Sequence, residues 1–115
     1  MARRTALILF ILTLASLAIA YGQKKSKVPA ERSVSGAVLN NDSSPVPGAI
    51  VQLKNTKSLE VRSFIAKEQG EYYFHSLSTE VDYELKAEWN GKISNTRTLS
   101  SFDSHKEIVA NLQLK

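Results

Sequence analysis

From Asp82 to Trp89 the chain alternates without a break. Tyr83, Leu85, Ala87 and Trp89 interleave with Asp82, Glu84, Lys86 and Glu88. Apolar side chains at every second position put one apolar and one charged face on an extended strand. Asn90-Gly91 follows at once, and both residues tolerate the positive φ that a two-residue type I′ hairpin turn requires. Gly91–Leu99 is therefore expected to return antiparallel. The same period marks Ser33–Asn40, with Val34, Gly36 and Val38 on one face. It marks Ala49–Asn55, with Ala49, Val51 and Leu53 inward, and Glu71–His75, with Tyr72 and Phe74 opposite Tyr73 and His75. It also marks Lys106–Leu114, with Ile108, Ala110, Leu112 and Leu114 inward. Val61–Lys67 reads as a strand whose face is ambiguous, because Phe64, Ile65 and Ala66 are consecutive. Turn residues separate these runs. Asn40–Pro45 is a dense turn cluster. Pro45-Val46-Pro47-Gly48 extends the chain and then turns it, since each proline fixes its own φ and biases the residue before it. Short strands at this spacing predict an all-β fold, a seven-stranded antiparallel Greek-key β-sandwich.

Several of these segments also carry a likeness. Gly36-Ala-Val38-Leu-Asn40, Pro45-Val-Pro47-Gly48-Ala49-Ile-Val51, Gly70-Glu-Tyr72-Tyr-Phe74-His-Ser-Leu77 and Tyr83-Glu-Leu85-Lys-Ala87 resemble the carboxypeptidase regulatory-like domain. The resemblance runs from about Ser33 to Leu114. It implies a transthyretin-like (prealbumin-type) sandwich with a carbohydrate-binding-like fold, acting as an accessory module. Such modules sit beside peptidases, receptors or sugar-active enzymes, or occur alone in exported bacterial proteins. The chain departs from the family in two places. Ala66-Lys67-Glu68-Gln69 stands where the family often has Thr-Asp before its glycine. Glu80-Val81-Asp82 stands where it often has Pro-Gly. The carboxypeptidase chemistry belongs to a separate zinc domain.

The N-terminal residues add a compartment. Arg3 and Arg4 precede an apolar and small-residue run from Thr5 to Ile19, and Ala18-Ile19-Ala20 forms an A-x-A cleavage signal. This is the pattern of a signal peptide over residues 1–20, with Tyr21 the expected mature N-terminus. The run is short of the roughly 20 residues that span a bilayer, so an uncleaved membrane anchor is the alternative reading. Residues 21–32 are polar, contain Pro29 and lack periodicity, and read as a disordered basic linker. Residues 33–115 form the domain. The expected location is periplasmic or extracellular. An exported chain with no cysteine cannot rely on disulfides, so one packed core must hold the fold.

The formal charge of +4 comes from the N-terminal residues. From Ser33 to Leu114 there are eight Lys or Arg against ten Asp or Glu. A folded part with that balance does not suggest nucleic-acid binding, which needs basic residues gathered on one face. Candidate chemistry is sparse. The two histidines, His75 and His105, stand outside any zinc motif, and no metal or cofactor is expected. Asp103-Ser104-His105 holds triad residue types, but neighbouring side chains on an extended segment point apart, and a polar loop is the simpler reading. No catalytic residue is assigned and the chain is not expected to be an enzyme. Tyr73 and His75, two residues apart on one outward face, and Trp89, beside the Asn90-Gly91 turn, are the candidate ligand contacts. Ordinary cross-strand packing is the simpler reading of the first two. Open strand edges offer a route to a protein partner. Asn41-Asp42-Ser43 is a glycosylation sequon, relevant only in a eukaryotic secretory pathway. The expectation is a monomeric, exported, non-catalytic module for an envelope protein or a glycan, touching the membrane only through an uncleaved signal segment. The alternative is a carbohydrate-binding module built on the outward aromatics.

Overall fold

The computed structural model describes residues 30–115. The signal segment and the linker up to Pro29 lie outside the described residues. Nine strands follow one another: β1 (Glu31–Leu39), β2 (Ile50–Asn55), β3 (Val61–Ile65), β4 (Glu71–Ser78), β5 (Tyr83–Trp89), β6 (Lys92–Ile93), β7 (Arg97–Leu99), β8 (Glu107–Val109) and β9 (Leu112–Gln113). They form two sheets. In the first, β1 lies between β4 and the pair β8 and β9. In the second the order is β3-β2-β5, and β6 and β7 both pair with β5.

Period two builds the core. On the second sheet Val51 faces Phe64 and Ala87 across the ladders, and Leu53 lies opposite Leu85. On the first, Val34, Val38, Tyr72, Phe74 and Leu77 point inward, and Ala110, Leu112 and Leu114 close the layer. The ambiguous third strand resolves with Phe64 on the inner side and Val61, Ser63 and Ile65 on the solvent side. Asn90 and Gly91 both hold positive φ, at 51° and 79°, as the hairpin turn requires. Gly70 sits at φ 73° where an added Cβ would lie 2.5 Å from the Val38 carbonyl oxygen. Only glycine fits there.

The sandwich departs from the sequence reading in three ways. The sixth and seventh expected strands are each broken in two, at Ser94 to Thr96 and at Ala110-Asn111. At the second break, Ala110 donates its N–H to Ser35 O, and the Tyr72 hydroxyl donates to Ala110 O. The Ala110 carbonyl lies so close to Gly36 that a Cβ there would clash. β8 and β9 then pair with β1 in parallel rather than antiparallel. Alternation along a strand specifies which face is buried, but not the direction of the neighbour it finds. Finally, β1 begins at Glu31, so Glu31 and Arg32 belong to the domain and not to the linker.

Arg32 is the residue that the sequence reading misplaced most. Its side chain is 2% exposed. Nε donates to Ser78 O at 3.1 Å, Nη1 to Ser100 O at 2.6 Å, and Nη2 to Val81 O at 2.6 Å and Leu99 O at 3.2 Å. The guanidinium carbon also stands 5.8 Å from the Tyr83 ring centroid. One buried cation thus joins β4, the turn before β5, and the loop after β7.

Candidate functional site

The outward face of β4 carries the first two candidates. Tyr73 and His75 project from the solvent side of an edge strand, and Tyr73 is 49% exposed. A β-bulge lies beside them. Arg32 pairs with Leu77 and Val34 with Phe74, so β4 spends one residue more than β1 between those pairs. His75 and Ser76 sit in the bulge, and Ser76 takes φ 58°. Their carbonyls accept from a side chain across the edge. Arg62 of β3 donates to them, Nη1 to His75 O at 3.1 Å and Nη2 to Ser76 O at 3.4 Å. A side chain of the neighbouring sheet's edge strand therefore covers part of the β4 edge.

The Tyr73 ring leans over that edge. Its centroid lies 5.0 Å from Phe64 with the planes at 55°, and 5.9 Å from His75 with the planes at 80°. Lys67 Nζ stands 5.3 Å from the same centroid. Tyr73 is thus packed against one ring set edge-on to it, one tilted ring and a cation, contacts that the ring's quadrupole favours. The structure brings Tyr73 and His75 together and leaves Trp89 apart. Trp89 ends β5 on the other sheet, and none of the aromatic pairs among the described residues includes it. Its ring is 39% exposed at the hairpin turn. An open depression of about 350 Å³ adjoins the bulge, bounded by Glu31, Ser33, His75, Ser76, Lys106 and Glu107.

The triad-like loop behaves as a loop. Asp103 and His105 pair through Oδ1 and Nδ1 at 2.5 Å, because side chains two positions apart meet on one side. The Ser104 hydroxyl joins none of the hydrogen bonds among the described residues. The N–H of His105 also donates to Asp103 Oδ1 at 3.0 Å. That backbone bond, with the ring contact, holds the Asp103 carboxyl below its ordinary value. Asp82 is lowered similarly by the N–H of Ser101, 2.6 Å from its Oδ1. Burial pushes the Tyr72 hydroxyl well above its usual range.

Sequence reasoning missed Arg62, Lys67 and Phe64 as parts of the Tyr73 cluster. They lie six to eleven positions away in sequence, and only the abutment of β3 and β4 joins them.

Among curated proteins no sequence match is found. Solved structures match at the level of fold. The mercury-inhibited catechol 1,2-dioxygenase from Acinetobacter sp. ADP1 superposes with a TM-score of 0.59 at 11% identity, over 80% of this chain and 54% of that one. The chain thus spans about half the length of that enzyme. The dioxygenase domain of a dioxygenase carbohydrate-binding protein fusion from Streptomyces sp. SirexAA-E gives 0.54 at 15% identity, over 79% and 83%. The S.CueP structure gives 0.53 at 15%, over 82% and 70%. At these identities the likeness speaks to the sandwich alone. The decisive match is to a family model that covers residues 33–115: the chain belongs to the carboxypeptidase regulatory-like domain family.

Proposed function

We propose that this protein is an exported, non-catalytic binding module of the cell envelope, and that the Tyr73 face of β4 contacts a protein partner. Membership of a regulatory-like domain family supports the non-catalytic part. The observation that carries the choice of partner is the set of ring planes. A sugar ring stacks on a flat, open aromatic platform. Here His75 stands at 80° and Phe64 at 55° to Tyr73, and Lys67 lies near the same ring. The cluster offers one half-exposed ring, a cation and an imidazole. That suits the mixed apolar and polar surface of a polypeptide better than the flat face of a saccharide. The glycan reading remains the second one, because Tyr73 is half exposed and Trp89 is exposed at its turn.

The test sets the two against each other. The full chain is applied to a glycan array, and in parallel carries a photo-cross-linking residue at position 73 in its native envelope. The expected result is a cross-linked polypeptide whose yield falls in a Lys67→Ala variant, with no glycan retained. Glycan retention that is lost in Tyr73→Ala would overturn the protein-partner reading. Export is checked by mass spectrometry, with Tyr21 expected as the first residue of the mature chain.

A further inference from the structure

Among the described residues, every strand edge but one is guarded. β6 to β9 run two or three residues each, and so short an edge is a poor template. Ser94 and Leu114 form a bridge, and the Lys115 N–H donates to Ile93 O, which joins β6 to the end of β9. β4 is interrupted by its bulge, and its His75 and Ser76 carbonyls accept from Arg62. β3 has none of these devices. It is the edge of the second sheet and pairs with β2 in unbroken register from Val61 to Ile65. It contains no proline, and its one charged residue, Arg62, reaches across to the β4 carbonyls.

The phase of the ladder decides what this edge offers. The Asn55 N–H donates to Glu60 O at 2.9 Å, and the Ala66 N–H to Ala49 O at 2.8 Å. Arg62 and Phe64, in step with Glu60 and Ala66, therefore bond to β2. The N–H and C=O groups of Val61, Ser63 and Ile65 point the other way. They join none of the turn and loop hydrogen bonds among the described residues. The side chains of the same three residues face solvent. Val61 is 52% and Ile65 69% exposed, and Ile50 lies opposite Ile65 on that face. Unpaired backbone and apolar outer side chains thus coincide on one strand, the requirement for strand addition.

The sequence of β3 selects the occupant. The strand is five residues long with Ser63 at its centre. A two-fold axis through Ser63 sets two copies of β3 antiparallel. Val61 of each copy then lies opposite Ile65 of the other, and the two Ser63 residues face each other. All the free N–H and C=O groups of the strand gain partners. β-branched side chains meet across the seam, and a small hydroxyl stands where a side chain must meet its own copy. The outer face of the strand carries no charge to oppose its like. At each end of the pair, Lys57 and Glu60 of one copy come to Lys67 and Glu68 of the other, so the ends are balanced. Such a contact is isologous and closes at two copies, because β4, the other long edge, is already covered.

We propose that the protein self-associates through β3 into a two-fold dimer, where the sequence reading expected a monomer. The inference does not depend on what the Tyr73 face binds. It is tested by sedimentation velocity of the purified chain over a range of concentrations, which should show a reversible monomer–dimer equilibrium. Ser63→Pro removes an N–H that β2 does not use, and Ile65→Lys places a lysine on the edge. Each should abolish the dimer and keep a cooperative thermal melt. If Ser63→Pro fails to fold, Ile65→Lys and a cross-link decide. The chain has no cysteine, so Ser63→Cys gives one thiol per copy. Cα atoms across a hydrogen-bonded pair stand about 5.5 Å apart. A short bis-maleimide should therefore link two copies through position 63. It should not link them through Lys86→Cys, on the same face two strands in. A chain that stays monomeric up to its solubility limit overturns the inference and leaves the β3 edge to an extended segment of another protein. A dimer that survives Ile65→Lys, or linkage from position 86 as efficient as from position 63, also overturns it.

Discussion

Replacing Arg32 by alanine should remove a large share of the fold's stability. The side chain is buried, and its guanidinium donates to four backbone carbonyls from three separate segments. No carboxylate pairs with it directly; the ion pair within 4.0 Å among the described residues is His105 with Asp103. Its Coulombic pull nevertheless reaches Asp82 and Asp103. A hydrogen bond from a charged donor contributes about 1.5–3 kcal/mol. Counting in full only the two bonds at 2.6 Å, the loss is about 3–6 kcal/mol. A domain of this size has roughly 4–13 kcal/mol in total. Arg32→Ala should therefore shift the urea midpoint far down with little change in m-value. Arg32→Lys keeps the charge but presents its donors from one atom, and should fall between the two. A loss below about 1 kcal/mol, the level of an exposed surface pair, would refute the idea that this cation holds the loop end together.

Three further outcomes follow from the same structure. Leu85→Ala, at a fully buried position facing Leu53, should cost about 2–5 kcal/mol in a denaturant melt; a change below about 0.5 kcal/mol would contradict the face assignment. Gly36→Ala should push β8 and β9 off β1, since its Cβ would meet the Ala110 carbonyl and the Tyr72 hydroxyl. We expect about 1–3 kcal/mol or more, with faster hydrogen exchange at the Ala110 and Leu114 amides. Asp82 has a folded pKa below its usual 3.8, so its contribution is present above that value and is lost as pH falls through the lower, folded one. Thermal melts between neutral and acidic pH should show a shallower acid slope for Asp82→Asn than for the parent chain.

The sandwich was legible because alternation and turn chemistry are local. Asp82–Trp89 and Asn90-Gly91 specify a strand and its turn within ten residues, and the structure realises both. Strand direction was not legible. Nothing in Lys106–Leu114 says that it will meet β1 in parallel, because that depends on where the chain has travelled since Leu39. Arg32 was illegible for a related reason. An arginine after Pro29-Ala30-Glu31 looks like linker, and its four acceptors lie 46 to 68 positions away. Of the candidate contacts, Tyr73 and His75 were found by parity and lie together, while Trp89 shares no cluster with them.

The way the β4 face is built bears on its use. Tyr73 and His75 sit on an edge strand interrupted by a bulge, where Arg62 occupies carbonyls that would otherwise be open to an added strand. Edge pairing at that place is therefore blocked in the free protein. A partner would have to read the Tyr73 side chain, or displace Arg62 first. A partner that must first move Arg62 should bind slowly. Arg62→Ala should therefore speed cross-linking from position 73 in the native envelope, and an unchanged rate would mean that Arg62 does not guard the β4 edge.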